Sequence, residues 1–91
     1  MKKLIYPAVF HPEESGGYSV VFPDLLGCVT EGDTMSEAID MAQDAIFLVC
    51  IDMEDDGKKL PIPSMFPDHS DNEIISYVDV DLDAYRKAMD Y

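Results

Sequence analysis

An antiparallel sheet carrying one main helix on one face, an α+β layer, is the fold that this 91-residue sequence predicts. Three features point to it. Two short apolar alternations near the N-terminus are separated by the turn-rich "HPEESGG". One long stretch repeats its apolar residues at helical spacing behind a capping signal. A last alternation, "IISYVDV", follows a proline-rich loop. In order, the elements read β-β-β-α-β-α.

Over residues 3–10, Leu4, Tyr6, Ala8 and Phe10 alternate at the period of a strand, while Ile5 and Val9 on the other parity imply partial cover on both faces. Pro7 has no N–H to give a ladder and marks an edge or a bulge. Gly16 and Gly17 are free to take positive φ and turn the chain. Tyr18, Val20 and Phe22 then form a second strand, antiparallel by hairpin logic, which Pro23 and Asp24 stop. Gly27 opens a short third strand through Cys28, Val29 and Thr30, closed by Gly32 and Asp33.

"TMSE" is a capping box: the Thr34 hydroxyl accepts an orphan amide and Glu37 reaches back to the cap. Met35, Ala38, Ile39, Ala42, Ala45, Ile46, Val49 and Met53 fall on one helical face. Asp33, Glu37 and Asp40 lie near the positive end of the helix dipole, where acids stabilise it. Gly57 is placed to end the helix. "KKLPIPSMFPDHSDNE" reads as a surface loop, residues 74–80 as a fourth strand, and "DLDAYRKAMDY" as the first turns of a second helix capped by Asp81 or Asp83.

The length allows one domain with a single modest core. No apolar run approaches the ~18 residues of a membrane span. The N-terminal apolar run is broken by Pro7 with no small-residue cleavage site behind it, unlike a signal peptide. Cys28 and Cys50 are too few to staple a secreted fold, so a reducing, cytoplasmic setting is expected. The charge is extreme: 6 Lys and Arg against 19 Asp and Glu give −13, and no Lys or Arg stands between Lys3 and Lys58. Such a surface repels phosphate backbones, which argues against nucleic-acid binding by this stretch. It suits either solubility or a basic protein partner.

Candidate chemistry is sparse. Cys28 as a nucleophile needs a histidine, yet His11 and His69 fall in turn-like segments without a nucleophile-site signature, so both cysteines read as buried structural thiols. Asp24, Glu31 and Asp33, gathered at one sheet end, offer a Mg²⁺ or Ca²⁺ site, but no EF-hand or phosphate-loop spacing accompanies them, and turn and cap duties account for them as well. No metal or cofactor is therefore assigned. Met41, Phe47, Leu48 and Ile51 point away from the main apolar face among Glu37, Asp40 and Asp44. They imply a contact or self-association surface, or one covered by the chain's own "IPSMF".

From Gly16 onward, "GGYSVVFPDLLGCVTEGDTMSEAIDMAQDAI" is similar to the HicB antitoxins of toxin–antitoxin operons. The pieces that carry the resemblance are Gly17-Tyr18, Phe22-Pro23-Asp24-Leu25, Gly27-Cys28, Gly32-Asp33-Thr34 and Glu37-Ala38. "YPAVF" before and "DDGKKLPIPS" after also fit, and Leu26 departs from a frequent second proline. The resemblance implies a partial ribonuclease-H-like fold that is not an enzyme. It also implies a partner, a small basic HicA-like RNA-cleaving toxin whose catalytic histidine the antitoxin occludes. Residues 1–80 would be the toxin-binding domain and residues 81–91 the start of a helix or linker. Family members usually continue into a C-terminal module that binds operator DNA, represses their own operon and drives dimerisation. This chain reads as ending before that module, so DNA binding is carried over to no residue present, while a dimer or higher homo-oligomer is expected.

Charge alone directs the expected toxin contacts to Glu13, Glu14, Asp24, Glu31, Asp33, Glu37, Asp40 and Asp44. The other two readings are a small metal-dependent nuclease using Asp24, Glu31 or Asp33, and an interaction domain with no toxin.

Overall fold

Pleat and pairing register decide which side of each strand is buried. The computed structural model describes residues 3–84. It contains β1 (Lys3–Pro12), β2 (Tyr18–Val21), β3 (Val29–Gly32), α1 (Met35–Asp55) and β4 (Ile74–Asp81). The strands form one antiparallel sheet in the order β3-β2-β1-β4. Phe10 pairs with Val20, Tyr6 with Val78 and Leu4 with Val80, so one set of side chains faces α1 and fills the core with Phe22, Leu25, Ile46 and Leu82. The expected α+β layer is the observed one.

β1 is an inner strand, which at first contradicts Pro7 as an edge marker. Yet β2 pairs with β1 only from Val9 onward, whereas β4 runs along residues 3–10, so Pro7 meets Tyr77 on one side and no β2 residue on the other. A proline is tolerated in an inner strand where one side lacks a pairing neighbour. β2 stops early because Phe22 leaves it for a loop held by Leu25 N–H to Phe22 O and Cys28 N–H to Leu25 O. Cys28 accordingly precedes β3 and does not lie within it, and His11 belongs to β1 and not to a turn.

Thr34 caps α1 through its hydroxyl, which accepts the Glu37 N–H at 3.1 Å. The return bond from the Glu37 carboxylate does not form, and that side chain stays exposed. Replacing Thr34 with alanine is expected to destabilise the fold by about 1 kcal/mol, read as a lower urea midpoint at unchanged slope. At the other end Asp56 is the cap and Gly57, at φ +75, follows it; Gly57 N–H bonds Glu54 O and Lys58 N–H bonds Met53 O, a Schellman closure. Ala38, Ala42, Ile46, Cys50 and Ile51 are the buried helix residues. Ile51 thus sits in the core and not on the outer face, and Ile39 is more exposed than its place in the apolar pattern predicts. The packed arc follows α1's crossing over β3, β2 and β4, which the heptad-like spacing alone does not specify.

The segment after α1 is anchored at several points. Tyr6 Oη donates to Pro61 O at 2.7 Å, Ser64 bonds the Asp24 carboxylate through its N–H and hydroxyl, and Tyr77 Oη donates to Met65 O. Glu73 accepts the Ser70 N–H and lies 3.2 Å from His11 Nδ1. The Ser70 N–H is the main reason its carboxyl sits below the usual range. Residues 82–84 begin a helical turn, with Asp81 Oδ1 accepting the Ala84 N–H; of the two expected caps, Asp81 is the one used. The rest of that expected helix lies outside the described residues.

Candidate functional site

A tight turn brings most of the expected acids to one end of the sheet. Glu13 N–H bonds Gly17 O and Gly16 N–H bonds Glu13 O. Gly17, at φ +82, presses this turn onto β3: a Cβ there would stand 2.7 Å from Gly32 O and 3.2 Å from Asp33 Cα. Glu13 and Glu14 are therefore held beside the end of β3, where α1 begins. Glu31 pairs across from Ser19 on β3, Asp33 precedes the cap and Glu37 lies in the first turn of α1; all three are exposed. Asp40 and Asp44, at helical spacing from Glu37, continue the acids along the solvent side of α1.

Asp24 does not join them. It follows β2 at the opposite end of the β2–β3 pair, half-buried and bound by Ser64. The expected gathering of Asp24, Glu31 and Asp33 at one sheet end is thereby corrected, because Pro23 and Asp24 turn the chain where β2 ends and Asp33 lies where β3 ends. Among the described residues, no three His, Cys, Asp or Glu side chains come together in a way that could hold a metal ion.

A shallow groove runs along the outer edge of β3, lined by Val21, Val29, Thr30, Glu31 and Met41. β3 is an edge strand, so its outer backbone groups meet no neighbouring strand of the sheet. Of the four apolar residues expected among the helix acids, Phe47 packs half-buried against the core and Ile51 lies inside it, whereas Met41 (41% exposed) and Leu48 (59%) are accessible. The "IPSMF" segment does not cover them: Pro63, Ser64, Met65 and Phe66 line a second groove with Ile5 and Tyr77, on the sheet face away from α1. This open face is what sequence reasoning missed. Its signal was present in Ile5 and Val9 on the second parity of β1, but nothing local says that the neighbouring strands expose the same parity.

Cys28 and Cys50 are free and buried. Burial pushes both thiols up, Cys50 to about 11, and it raises the Tyr6 phenol to about 12. A buried thiol that holds its proton is a core group and a poor nucleophile. A raised native pKa adds stability that is whole below the unfolded value and is lost as pH climbs through the folded one. The fold is therefore expected to weaken from the ordinary thiol range near pH 9 towards about 11. Urea titrations across that window check it, and Cys50→Ala should flatten the slope.

The motifs that lay down this end, Gly17-Tyr18, Phe22-Pro23-Asp24, Gly27-Cys28 and Gly32-Asp33-Thr34, serve turn, core and cap. They also match a known family. The model described as "HicB_like antitoxin of bacterial toxin-antitoxin system" matches residues 6–90. The chain belongs to the HicB-like antitoxin family. This HicB-like chain is 38% identical over 89 residues to "Antitoxin HicB 1" of Photorhabdus laumondii, covering 98% of the present chain and 53% of that protein. It spans about half the length of three curated relatives that it matches (53%, 45% and 46%). Its fold is similar to a chain of a toxin–antitoxin complex from Streptococcus pneumoniae (TM-score 0.77, 26% identity, 92% of this chain and 73% of that one). It is also similar to a chain of a HicA3 and HicB3 toxin–antitoxin complex (TM-score 0.67, 26% identity, 86% and 99%). Among the described residues, no helix is long and apolar enough to cross a membrane.

Proposed function

We propose that this HicB-like antitoxin neutralises a small, basic, RNA-cleaving toxin of the HicA type by covering its active site. The observation that carries the reading is the acidic end of the sheet: Glu13, Glu14, Glu31, Asp33 and Glu37, continued by Asp40 and Asp44, beside the edge groove with Val29 and Met41. A protein built to grip RNA presents cations, and carboxylates around an apolar groove oppose those cations and accept apolar anchors in one contact. Two of the related solved structures are toxin–antitoxin complexes, which supports the same partner class for this chain. A regulatory, non-enzymatic role agrees with the antitoxin relatives. The nuclease alternative loses its carboxylate set, because Asp24 lies away from Glu31 and Asp33.

Operator binding and repression of the operon are proposed for a form of the protein that carries a DNA-binding module, and for none of the residues described. The purified chain should inhibit the ribonuclease encoded by the adjacent reading frame at a one-to-one ratio. Binding should weaken at least about tenfold between about 0.05 M and 0.5 M salt, as surface charges are screened. Undiminished RNA cleavage in the presence of excess chain overturns the proposal.

A further inference from the structure

β3 forms one edge of the sheet, and its pairing phase fixes which of its backbone groups look outward. Phe22 N–H bonds Cys28 O, so Thr30 opposite Val20 and Gly32 opposite Tyr18 also turn their N–H and C=O towards β2. Across β2, the Glu13 N–H to Gly17 O bond ends the β1–β2 ladder, sets Ser19 and Val21 towards β1 and gives the same phase. The N–H and C=O of Val29 and Glu31 therefore point away from the sheet, and no described residue bonds them. Side chains alternate in step. Thr30 and Gly32 face α1, where a Cβ on Gly32 would strike Ala38, whereas Val29 and Glu31 face the other way and are exposed. Met41 of α1 flanks the groove beside this edge. Edges are commonly blunted by a proline, a lysine or a bulge. β3 has none of them: it reads Val-Thr-Glu-Gly, in unbroken register with β2.

We infer that the toxin adds an extended segment to this edge as a fifth strand, held by main-chain bonds to Val29 and Glu31. This presupposes the toxin partner proposed above and adds how that partner is held. Charge selects the occupant. Glu31 stands on the edge itself, and Glu13, Glu14, Asp33 and Glu37 lie at its end. An acidic strand, including one from a second copy at −13, is repelled there, and a basic one is drawn in. In strand addition the main chain supplies affinity, and alternate side chains supply selection. The added strand lies about 4.8 Å outside β3. Its residue opposite Thr30 faces α1 and meets Met41, which favours an apolar side chain. The next residue along, opposite Glu31, faces away from α1 and favours Lys or Arg. The segment that fits is thus extended, with an apolar residue directly beside a basic one.

Amide hydrogen exchange followed by NMR reads the edge directly. In the free 91-residue chain the Val29 and Glu31 amides should exchange quickly, while the Thr30 amide, turned towards Val20, should be slow. Binding the ribonuclease encoded by the adjacent reading frame should slow Val29 and Glu31 at least about a hundredfold. Two substitutions then separate a main-chain bond from simple cover. Glu31→Ala and Glu31→Pro both remove the carboxylate, but only proline removes the outward N–H. Thr30 before it is already extended, as a proline requires, and the ladder to β2 uses no Glu31 bond. Glu31→Pro should therefore bind the ribonuclease at least about tenfold more weakly than Glu31→Ala. Urea unfolding of both variants checks that the fold is kept. Equal affinities of the two folded variants overturn the inference. So does an inhibited complex of the unaltered chain in which Val29 and Glu31 still exchange quickly, and that result leaves the antitoxin reading standing. A chain that does not inhibit the ribonuclease at all overturns the antitoxin reading itself, so the two failures are distinct.

Discussion

Replacing Gly32 with alanine is expected to destabilise the domain by about 3 kcal/mol, the upper range for forcing an extra carbon into a filled site. Gly32 pairs with Tyr18 at the end of β3 and lies directly beneath the first turn of α1. An added Cβ would stand 2.4 Å from Ala38 N, 2.6 Å from Ala38 Cα and 2.8 Å from Glu37 C. All three are helix backbone, so no side-chain rotation relieves the clash and α1 must lift off β3. Lifting it also loosens the Ala38 and Ala42 contacts with the sheet and disturbs the Thr34 cap. Gly27→Ala is the matched control: Gly27 sits at φ +80 with nothing within 4 Å of the added carbon, so only left-handed backbone strain of about 1–2 kcal/mol arises. Urea unfolding followed by circular dichroism separates the two. Equal midpoint shifts would mean that the close approach of helix to strand is not what Gly32 provides.

Reversing charge at the acidic end should have the second large effect. Glu13→Lys, Glu14→Lys and Glu31→Lys together are expected to weaken toxin binding by at least about a hundredfold at low salt, since like charges brought face to face each cost a sizeable fraction of the binding free energy. These side chains are exposed and lie outside the core, so stability should change little. The comparison that matters is Asp56→Lys, Asp68→Lys and Asp71→Lys, which alters net charge by the same amount away from that end. If both triple variants lose affinity equally, total charge and not its layout governs the contact. If the first triple variant binds as well as the unaltered chain, the toxin docks elsewhere. Isothermal titration at two salt concentrations reads both outcomes.

The readable parts of the fold were those whose cause is local. Thr34 caps a helix because its own hydroxyl reaches an amide three residues on, and Gly57 ends it because only glycine sits easily at φ +75. The parity of Tyr6, Ala8 and Phe10 announced a buried strand face, and the structure buries all three. The acidic end was legible as composition, and Glu13, Glu14, Glu31, Asp33 and Glu37 do share it. Asp24 was misassigned because its partner is Ser64, forty residues further along, and nothing near Asp24 in the sequence signals that bond. Ile51 was misassigned because the helical period locates an apolar stripe only to within the angle at which the helix crosses its sheet.

By itself, then, the amino-acid order determined the identity and succession of the elements, their caps and turns, the strongly negative surface and the family. Each of these follows from side chains acting within a few residues of themselves or from a simple sum. The tertiary structure alone decided that "IPSMF" lies on the open sheet face and not over α1, that β2 leaves Pro7 without a neighbour on one side, and that Gly32 touches Ala38. Those outcomes depend on strand register and helix crossing. Both are settled by how the whole core packs, which no short window of sequence contains.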